Sequence, residues 1–309
     1  MSSEQAMSGR VPAVDFRLVR SVMEAPILDE HKWAKVPDIR ADAFIIDLED
    51  SVVPDRKELA RERARNYLAD EHFFGDRLVL ARPNNLHTPW GRDDIATLAR
   101  SEVRLMLYPK ARSVEELIEV RQLLEDHHAA PLVFPIIETA GALLDVRAIG
   151  QLPGIGGLFT GIGDLSVDAG IPFYDTDGKI NPALNRARDE IVLAAAAAGI
   201  SSTDTVYARN LRDAEQVRAA ITDGRRRGFT SLVTFYPPHV DLINEMLPPT
   251  REEVDHALEL VQRYREAQVR GRPALVLENG RTVLLLDCAR AQRLLERAAA
   301  TVPKRQDVL

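Results

Sequence analysis

The sequence has a single cysteine, Cys288, among 309 residues. One cysteine excludes an internal disulfide framework and a cysteine-rich zinc site, and its scarcity is typical of a reducing compartment. Long apolar runs are also missing, because the longest, residues 191–200, covers ten positions and is mostly alanine. A helix that spans a membrane needs about 20 apolar residues. We therefore expect a cytoplasmic protein without a membrane segment.

An excess of positive charge is absent too. The 47 Asp and Glu residues outnumber the 40 Lys and Arg residues, which gives a formal net charge of −7. A mildly acidic chain does not attract nucleic acid or anionic lipid over its whole surface, so we expect neither as a partner. Residues 1–15 are small and polar without an apolar segment, and they predict a flexible tail in place of a signal peptide.

From residue 16 onward, short β-rich apolar segments alternate with amphipathic segments of helical period. This alternation is typical of repeated βα units around a parallel sheet. The predicted strands cover residues 16–23, 43–47, 77–82, 104–108, 132–138, 157–161, 201–207 and 230–236. The clearest predicted helices between them cover residues 54–69, 113–127 and 181–198. Eight repeats predict an α/β fold, a (β/α)8 TIM barrel over residues 16–247.

Residues 248–309 exceed what such a barrel needs and predict a C-terminal helical extension. The segment that begins Thr250-Arg-Glu-Glu predicts a long charged helix. Two short strands are predicted at residues 273–277 and 282–287, and a second helix is predicted from Ala289.

Charged residues follow several of the predicted strands. In a (β/α)8 barrel the reacting groups lie at the C-terminal ends of the strands. The charged strand ends are Asp47, Glu49 and Asp50 after the second strand, Arg82 after the third, Lys110 after the fourth, Glu138 after the fifth and Asp164 after the sixth. A single charged strand end is commonly just solvated or salt-bridged. Five in one barrel predict an active site.

Glu138 and Asp164 follow neighbouring strands, where two carboxylates can share one divalent cation. Oxygen ligands without a nearby His or Cys favour Mg²⁺ or Mn²⁺ over zinc. The alternative is a pair of separately salt-bridged carboxylates. The glycines around Asp164 favour the metal, because they let the backbone N–H groups from Gly163 to Leu165 approach a ligand carboxylate.

Other catalytic motifs are missing. The glycine pairs at residues 154–156 and 161–163 do not complete a dinucleotide fingerprint, because Phe159 and Ser166 occupy the third glycine position. The sequence has no P-loop, no serine nucleophile elbow and no metal-type histidine spacing.

Five segments combine into a specific pattern. They are Phe-Ile-Ile-Asp-Leu-Glu-Asp-Ser-Val at 44–52, Leu-Ala-Arg-Pro-Asn at 80–84, Tyr-Pro-Lys at 108–110, Pro-Ile-Ile-Glu-Thr-Ala at 135–140 and Gly-Leu-Phe-Thr-Gly-Ile-Gly-Asp-Leu-Ser at 157–166. Their order and spacing resemble the HpcH/HpaI aldolase and citrate lyase β-subunit family. The segment Asn279-Gly280-Arg281 with Asp287 is similar to the C-terminal element of the citrate lyase β-like and malyl-CoA lyase branch.

This resemblance implies that Glu138 and Asp164 hold Mg²⁺ and that Arg82 binds the keto-acid or acyl substrate. It also places Asp47 and Glu49 on the same polar rim, either facing the substrate or supporting the groups that do.

Two further roles follow from the resemblance alone. Arg20, at the start of the first strand, is implied to help bind an anionic ligand. Asp287 is implied to reach the site of a neighbouring subunit as an acid/base residue, which requires a homo-oligomer such as a trimer or hexamer.

The sequence departs from the family pattern at two places. Residues 22–26 read Val-Met-Glu-Ala-Pro where a Phe-Val-Pro-Gly-like turn associated with CoA is usual. A CoA thioester, a carrier-bound acyl group and a free acid therefore all stay open as substrates. Tyr236 replaces a histidine after the last strand, which predicts an altered pocket wall.

The leading hypothesis is a Mg²⁺-dependent carbon–carbon lyase that acts on a 3-hydroxy acid or its thioester through an enolate, which a Lewis acid stabilises. Arg82 would be a fixed positive partner for the oxyanion or carboxylate. Lys110 ends a barrel strand, as a Schiff-base lysine would, but a metal-dependent site favours a salt bridge. The alternatives are a thioesterase or hydrolase on the same metal site, and a carrier-dependent subunit of a larger complex.

Overall fold

The computed structural model describes residues 15–301 except residues 71, 102, 278, 279 and 281. Eight parallel strands form its centre: β1 (Ser21–Ala25), β2 (Ala43–Asp47), β3 (Leu78–Arg82), β4 (Leu105–Tyr108), β5 (Leu132–Ile137), β6 (Gly157–Thr160), β7 (Ser201–Thr205) and β8 (Ser231–Thr234). Each strand pairs with the next, and β8 pairs with β1, so the sheet closes into a barrel. The predicted (β/α)8 barrel is confirmed.

Helices follow the strands and cover the outside of the barrel. They are α1 (Glu30–Trp33), α2 (Lys57–Ala69), α3 (Gly91–Ala99), α4 (Val114–Asp126), α5 (Ala140–Gln151), α6 (Ile162–Asp168), α7 (Pro182–Ala198), α8 (Ala214–Arg227) and α9 (Pro238–Met246). Their ends follow local sequence signals. Ser113 accepts a hydrogen bond from the N–H of Glu116 at the start of α4, and Gly199 ends α7 with a φ of 70°.

The first predicted strand is too long. Residues Phe16–Leu18 form a 3-10 helix, and β1 begins only at Ser21. The ring of Phe16 packs 4.8 Å from that of Phe134 and 6.0 Å from that of Phe159, inside the apolar cluster that fills the barrel. Phe16 is therefore buried at the N-terminal end of the barrel. This burial explains why the segment resembles an apolar strand in sequence although it forms a 3-10 helix.

The C-terminal extension consists of α10 (Arg251–Val269), β9 (Leu275–Val276), β10 (Thr282–Val283) and α11 (Leu285–Thr301). Thr250 and Glu253 form a reciprocal capping box at the start of α10. The strand predicted over residues 282–287 is wrong beyond Val283, because α11 starts at Leu285. Asp287 lies in the first turn of α11, where its carboxylate accepts a hydrogen bond from the N–H of Leu284 at 2.9 Å.

The extension has a small core of its own and contacts the barrel near its N-terminal end. Arg297 Nη2 donates to the carbonyl of Thr230, directly before β8, at 3.3 Å. Residues 1–14 of the predicted tail, residues 302–309, and Asn279 and Arg281 of the C-terminal motif lie outside the described residues. Within the described ranges, no helix is long and apolar enough to cross a membrane.

Candidate active site

A cavity of about 350 Å³ lies at the C-terminal ends of the barrel strands. Its apolar lining includes Ile45, Leu107, Ile136, Phe159, Val233 and Phe235, and its polar lining includes Glu24, Asp50, Arg82, Glu138, Thr160, Gly163, Asp164 and Tyr207. A larger open groove follows one face of α10, but its side chains all come from that single helix. Of these two cavities, only the one in the barrel brings together polar groups from different elements. We therefore take it as the candidate site.

Glu138 is held firmly at the end of β5. Its Oε1 accepts a hydrogen bond of 2.6 Å from the backbone N–H of Lys110, a residue with the left-handed φ of 50°. A Cβ at Gly161 would lie 2.5 Å from Glu138 Oε2, so only glycine leaves room for this carboxylate. Burial, together with the negative charges of Glu49 and Asp164, raises the pKa of Glu138 to about 8.

These two carboxylates suit a divalent cation. Glu138 and Asp164 line the same cavity and repel each other, and a bound cation would relieve this repulsion. In the described part of the chain, no group of three or more His, Cys, Asp or Glu side chains is arranged to hold a metal alone. A metal here would complete its shell with water and substrate oxygens, which is usual for Mg²⁺. The donor set therefore fits Mg²⁺.

Arg82, at the end of β3, is the centre of a second charged cluster in the site. Its Nε lies 2.6 Å from Asp47 Oδ1 and 3.5 Å from Glu49 Oε2, and its Nη2 lies 2.9 Å from Glu24 Oε1. Although burial alone would raise the pKa of Asp47, the ion pair with Arg82 outweighs it and lowers this pKa to about 2. Asp47 is fully buried, so it orients Arg82 and does not face the cavity.

Glu24 is a site residue that the sequence analysis missed. It belongs to β1, lines the cavity and is 8% exposed. Burial raises the pKa of Glu24 to about 7, although the nearby charge of Arg82 opposes this shift. The sequence does contain a signal for Glu24, because it is an acidic residue inside an otherwise apolar strand. This residue was interpreted only as part of a departure from the family's turn motif.

Two lysines fix the loop after β2. Lys110 Nζ lies 2.5 Å from Glu49 Oε1 and 3.2 Å from Asp50 Oδ1, so it makes the predicted salt bridge. Burial opposes its charge, but these carboxylates outweigh burial and raise the pKa of Lys110, the opposite of what a Schiff-base amine requires. Lys57, which the sequence did not single out, donates at 2.7 Å to the carbonyls of Leu48 and Glu49.

The structure places Arg20 away from this site. Arg20 directly precedes β1, at the N-terminal end of the barrel, and its guanidinium and backbone N–H donate to Asp42. The prediction that Arg20 binds an anionic ligand is therefore wrong for this cavity. The physical reason is that Arg20 lies before the first residue of β1, whereas the cavity lies at the C-terminal ends of the strands.

Two other predictions change in detail. The backbone N–H of Leu165 donates to the carbonyl of Gly161 at 3.0 Å, and its side chain is buried, so Gly163 alone of these two predicted residues lines the cavity. Tyr236 packs edge-on against His239 with the rings 5.0 Å apart, and the neighbouring Phe235 forms the cavity wall instead.

Asp287 is not brought to the cavity of its own chain. Its carboxylate accepts a hydrogen bond from the N–H of Leu284, directly before α11, and the extension contacts the barrel beside Thr230, at the end opposite the site. A catalytic role for Asp287 therefore requires the cavity of another subunit, and this role stays a prediction.

The fold and the site together define a class of protein: a (β/α)8 barrel enzyme whose C-terminal rim combines buried carboxylates with one buried arginine. The model of the HpcH/HpaI aldolase/citrate lyase family matches residues 20–237, and the chain belongs to this family. The predicted family, and with it the predicted class of carbon–carbon lyases, is confirmed.

Individual relatives cover most of the chain. A (3S)-malyl-CoA thioesterase of Cereibacter sphaeroides is 31% identical over 281 residues, 91% of this chain and 95% of the relative. The mitochondrial citramalyl-CoA lyase of Homo sapiens is 27% identical over 272 residues, 84% of this chain and 79% of the relative. Protein CitE from Mycobacterium tuberculosis, solved with magnesium, acetoacetate and coenzyme A, is similar with a TM-score of 0.77 at 25% identity, over 92% of this chain and 99% of that chain.

Proposed function

We propose that this protein is a Mg²⁺-dependent lyase that cleaves or forms the carbon–carbon bond of a 3-hydroxyacyl thioester through an enolate. The observation that carries the proposal is the convergence of Glu138 and Asp164 on the same cavity as Arg82. The citramalyl-CoA lyase relative, and the similar structure solved with magnesium, acetoacetate and coenzyme A, support the metal and the thioester.

The chain's residues divide the work between the two sides of the cavity. Glu138 and Asp164 would hold Mg²⁺, which supplies Lewis-acid stabilisation of negative charge on oxygen when it is bound. Arg82, held in place by Asp47, presents a permanent positive charge to an oxyanion that develops in the reaction. Gly163 contributes an open backbone surface beside Asp164 for the substrate carboxylate.

Thioester hydrolysis is the second candidate, because the (3S)-malyl-CoA thioesterase relative aligns with 91% of this chain. A hydrolase needs the same acyl thioester in the same cavity, but it must admit a water molecule to the thioester carbonyl. Asp50 and Phe235 line the cavity and have exposed side chains, so solvent can reach it there, and this access is compatible with either reaction.

We further propose that Asp287 acts as an acid/base residue in the cavity of a neighbouring subunit of a homo-oligomer. The extension lies beside the N-terminal end of its own barrel, so it leaves the cavity of its own chain uncovered. Asp47 and Glu24 are paired with Arg82, and Glu138 and Asp164 would hold the metal, so an acid/base residue supplied from outside would leave these four carboxylates in their roles.

Product analysis separates the two reactions. Purified protein with Mg²⁺ is incubated with malyl-CoA and citramalyl-CoA, and with malate and citramalate as free-acid controls. A lyase releases glyoxylate or pyruvate with acetyl-CoA and no free thiol, whereas a thioesterase releases free CoA thiol and no 2-oxo acid. The Glu138→Gln variant is the matched control for both. Release of neither a 2-oxo acid nor free CoA thiol from the two thioesters would contradict the proposed function.

A further inference from the structure

Glu24 lies on the side of the barrel opposite the proposed metal. In the closed order of eight strands, β1 is four strands away from β5, whose end holds Glu138. Residues that alternate along a strand share a face, so Glu24 points into the barrel with Val22, a member of the apolar interior cluster. The cavity thus has a metal side and a Glu24 side, and a substrate between them contacts both.

The Glu24 side already has more negative than positive charge. On this side of the cavity lie the carboxyls of Glu24, Asp47, Glu49 and Asp50 and the cations of Arg82 and Lys110. Glu24 Oε1 accepts from Arg82 Nη2 at 2.9 Å, while Oε2 has no hydrogen-bond partner among the described residues. A substrate carboxylate that approached Arg82 here would meet Glu24 first, and like charges in contact cost several kcal/mol.

We propose that Glu24 is a specificity-determining residue: it occupies the Nη2 end of Arg82 and excludes a free carboxylate from the β1 side of the cavity. This inference rests on the proposed function, because it assigns the metal side to the substrate's own carboxylate and the Glu24 side to the acyl end. It restricts the acyl end to an uncharged carbonyl, such as a thioester or ester. A free dicarboxylic acid of the same carbon skeleton is rejected.

The charges that face Glu24 support this role. Arg82 approaches it from β3, Asp47 from β2, and Glu49 and Asp50 from the loop that follows β2. The end of β8, its other neighbour, contributes Thr234 and Phe235, which carry no charge. Because the pKa of Glu24 is raised to about 7, the side chain is mostly neutral at pH 6 and mostly ionised at pH 8. Glu24 should therefore repel a substrate carboxylate more strongly as the pH rises from 6 to 8.

If Glu24 only held Arg82 in place, a substitution that keeps its contact with Arg82 would leave the ligand preference unchanged. Asp47 already holds Arg82 through Nε, and a glutamine at position 24 can still accept a hydrogen bond from Nη2 through its amide oxygen. The Glu24→Gln variant therefore keeps the contact and removes only the charge. The Glu24→Asp variant keeps the charge and shortens the side chain.

The test is calorimetric titration of the Mg²⁺-loaded protein with malate and with its 4-methyl ester. These two molecules differ in the charge of the carboxyl that a thioester would occupy. At pH 8 we expect the wild-type protein to prefer the ester by about tenfold or more, and Glu24→Gln to reduce that ratio about tenfold by tightening malate binding. Glu24→Asp should retain the preference, and at pH 6 the wild-type preference should shrink.

Asp42→Asn is the matched control, since it removes one arginine-paired carboxylate at the far end of the barrel and changes net charge equally. It should leave the ratio as in the wild type. An unchanged ratio in Glu24→Gln, or an equal change in Asp42→Asn, overturns the inference while ester binding still supports the proposed site. Failure of the wild-type protein to bind either molecule contradicts the proposed function itself.

Discussion

The two ends of the barrel use the same chemical pair for opposite purposes. At the N-terminal end, Arg20 and Asp42 form a closed pair in which both prongs and the backbone N–H of the arginine meet a single carboxylate. At the C-terminal end, Arg82 is shared by the three carboxylates of Asp47, Glu24 and Glu49. The Arg20–Asp42 pair balances its own charges and therefore leaves no unpaired charge for a ligand to neutralise. The buried carboxylates around Arg82 outnumber it, and this excess of negative charge marks the site.

The excess also has a thermodynamic consequence. Burial raises the pKa of Glu138 to about 8 and that of Glu24 to about 7, so ionising either group in the folded protein is unfavourable. A cation bound at Glu138 and Asp164 would offset part of this cost. The C-terminal end should therefore be the less stable end in the metal-free protein, and the end that responds to ligands.

The largest effect is expected for Glu138→Gln, which removes one anionic ligand without changing the side-chain volume. Mg²⁺ binding should be severely weakened, and activity should fall on the order of a thousandfold. Calorimetric titration with Mg²⁺ or Mn²⁺ measures the first effect and product release the second. Asp164→Asn is the matched variant from the other proposed ligand. Wild-type metal affinity in both variants would rule out the metal site.

Glu138→Gln should stabilise the metal-free protein, although it weakens metal binding and activity. Because the pKa of Glu138 is raised from its ordinary value of 4.5 to about 8, the stability it contributes is complete below pH 4.5 and declines as pH rises towards 8. Without Mg²⁺ at pH 8, Glu138→Gln should therefore be more stable than wild type, on the order of a few kcal/mol. Adding Mg²⁺ should raise the melting temperature of the wild type alone. A variant less stable than wild type at pH 8 would contradict the predicted direction.

The sequence predicted the strand-end residues better than the side chains inside the barrel. Carboxyl ends of parallel strands meet at one rim whatever the packing, so Glu138, Asp164 and Arg82 could be brought together from strand positions alone. Glu24 could not be found in this way, because it lies inside β1 and its direction depends on where that strand begins. The prediction started the strand at residue 16, but Phe16–Leu18 form a 3-10 helix and β1 begins at Ser21.

Arg82→Lys should have the second-largest effect. Lysine keeps the charge but cannot bond Asp47 and Glu24 through two separate prongs, so we expect kcat/KM to fall about a hundredfold. Both substrate affinity and turnover should decline. Melting temperatures measured beside the kinetics separate this loss from unfolding. Near-native kcat/KM in a folded Arg82→Lys protein would make Arg82 a structural residue.

Asp287→Asn tests whether the site is shared between subunits. If Asp287 reaches a neighbouring cavity, the variant should lose activity at least about tenfold without losing Mg²⁺ affinity. Mixing and reassembling Asp287→Asn with Glu138→Gln should restore part of the activity, because some cavities then combine a wild-type Glu138 with a wild-type Asp287. Full activity of Asp287→Asn alone would rule out the catalytic role and make Asp287 a structural residue of the first turn of α11.

The smallest functional effect is expected for Arg20→Lys, the counterpart of Arg82→Lys at the closed end of the barrel. Lysine cannot reproduce the two side-chain bonds that Arg20 makes to Asp42, so stability should fall by about 1 kcal/mol, a small loss because the pair is only partly buried. Activity and Mg²⁺ affinity should stay within about twofold of wild type, since no bond of Arg20 reaches the cavity. Denaturant unfolding measures the first quantity, and the kinetic and calorimetric assays measure the others. A large loss of activity in a folded Arg20→Lys protein would mean that the two ends are coupled through β1, the strand that begins beside Arg20 and contains Glu24.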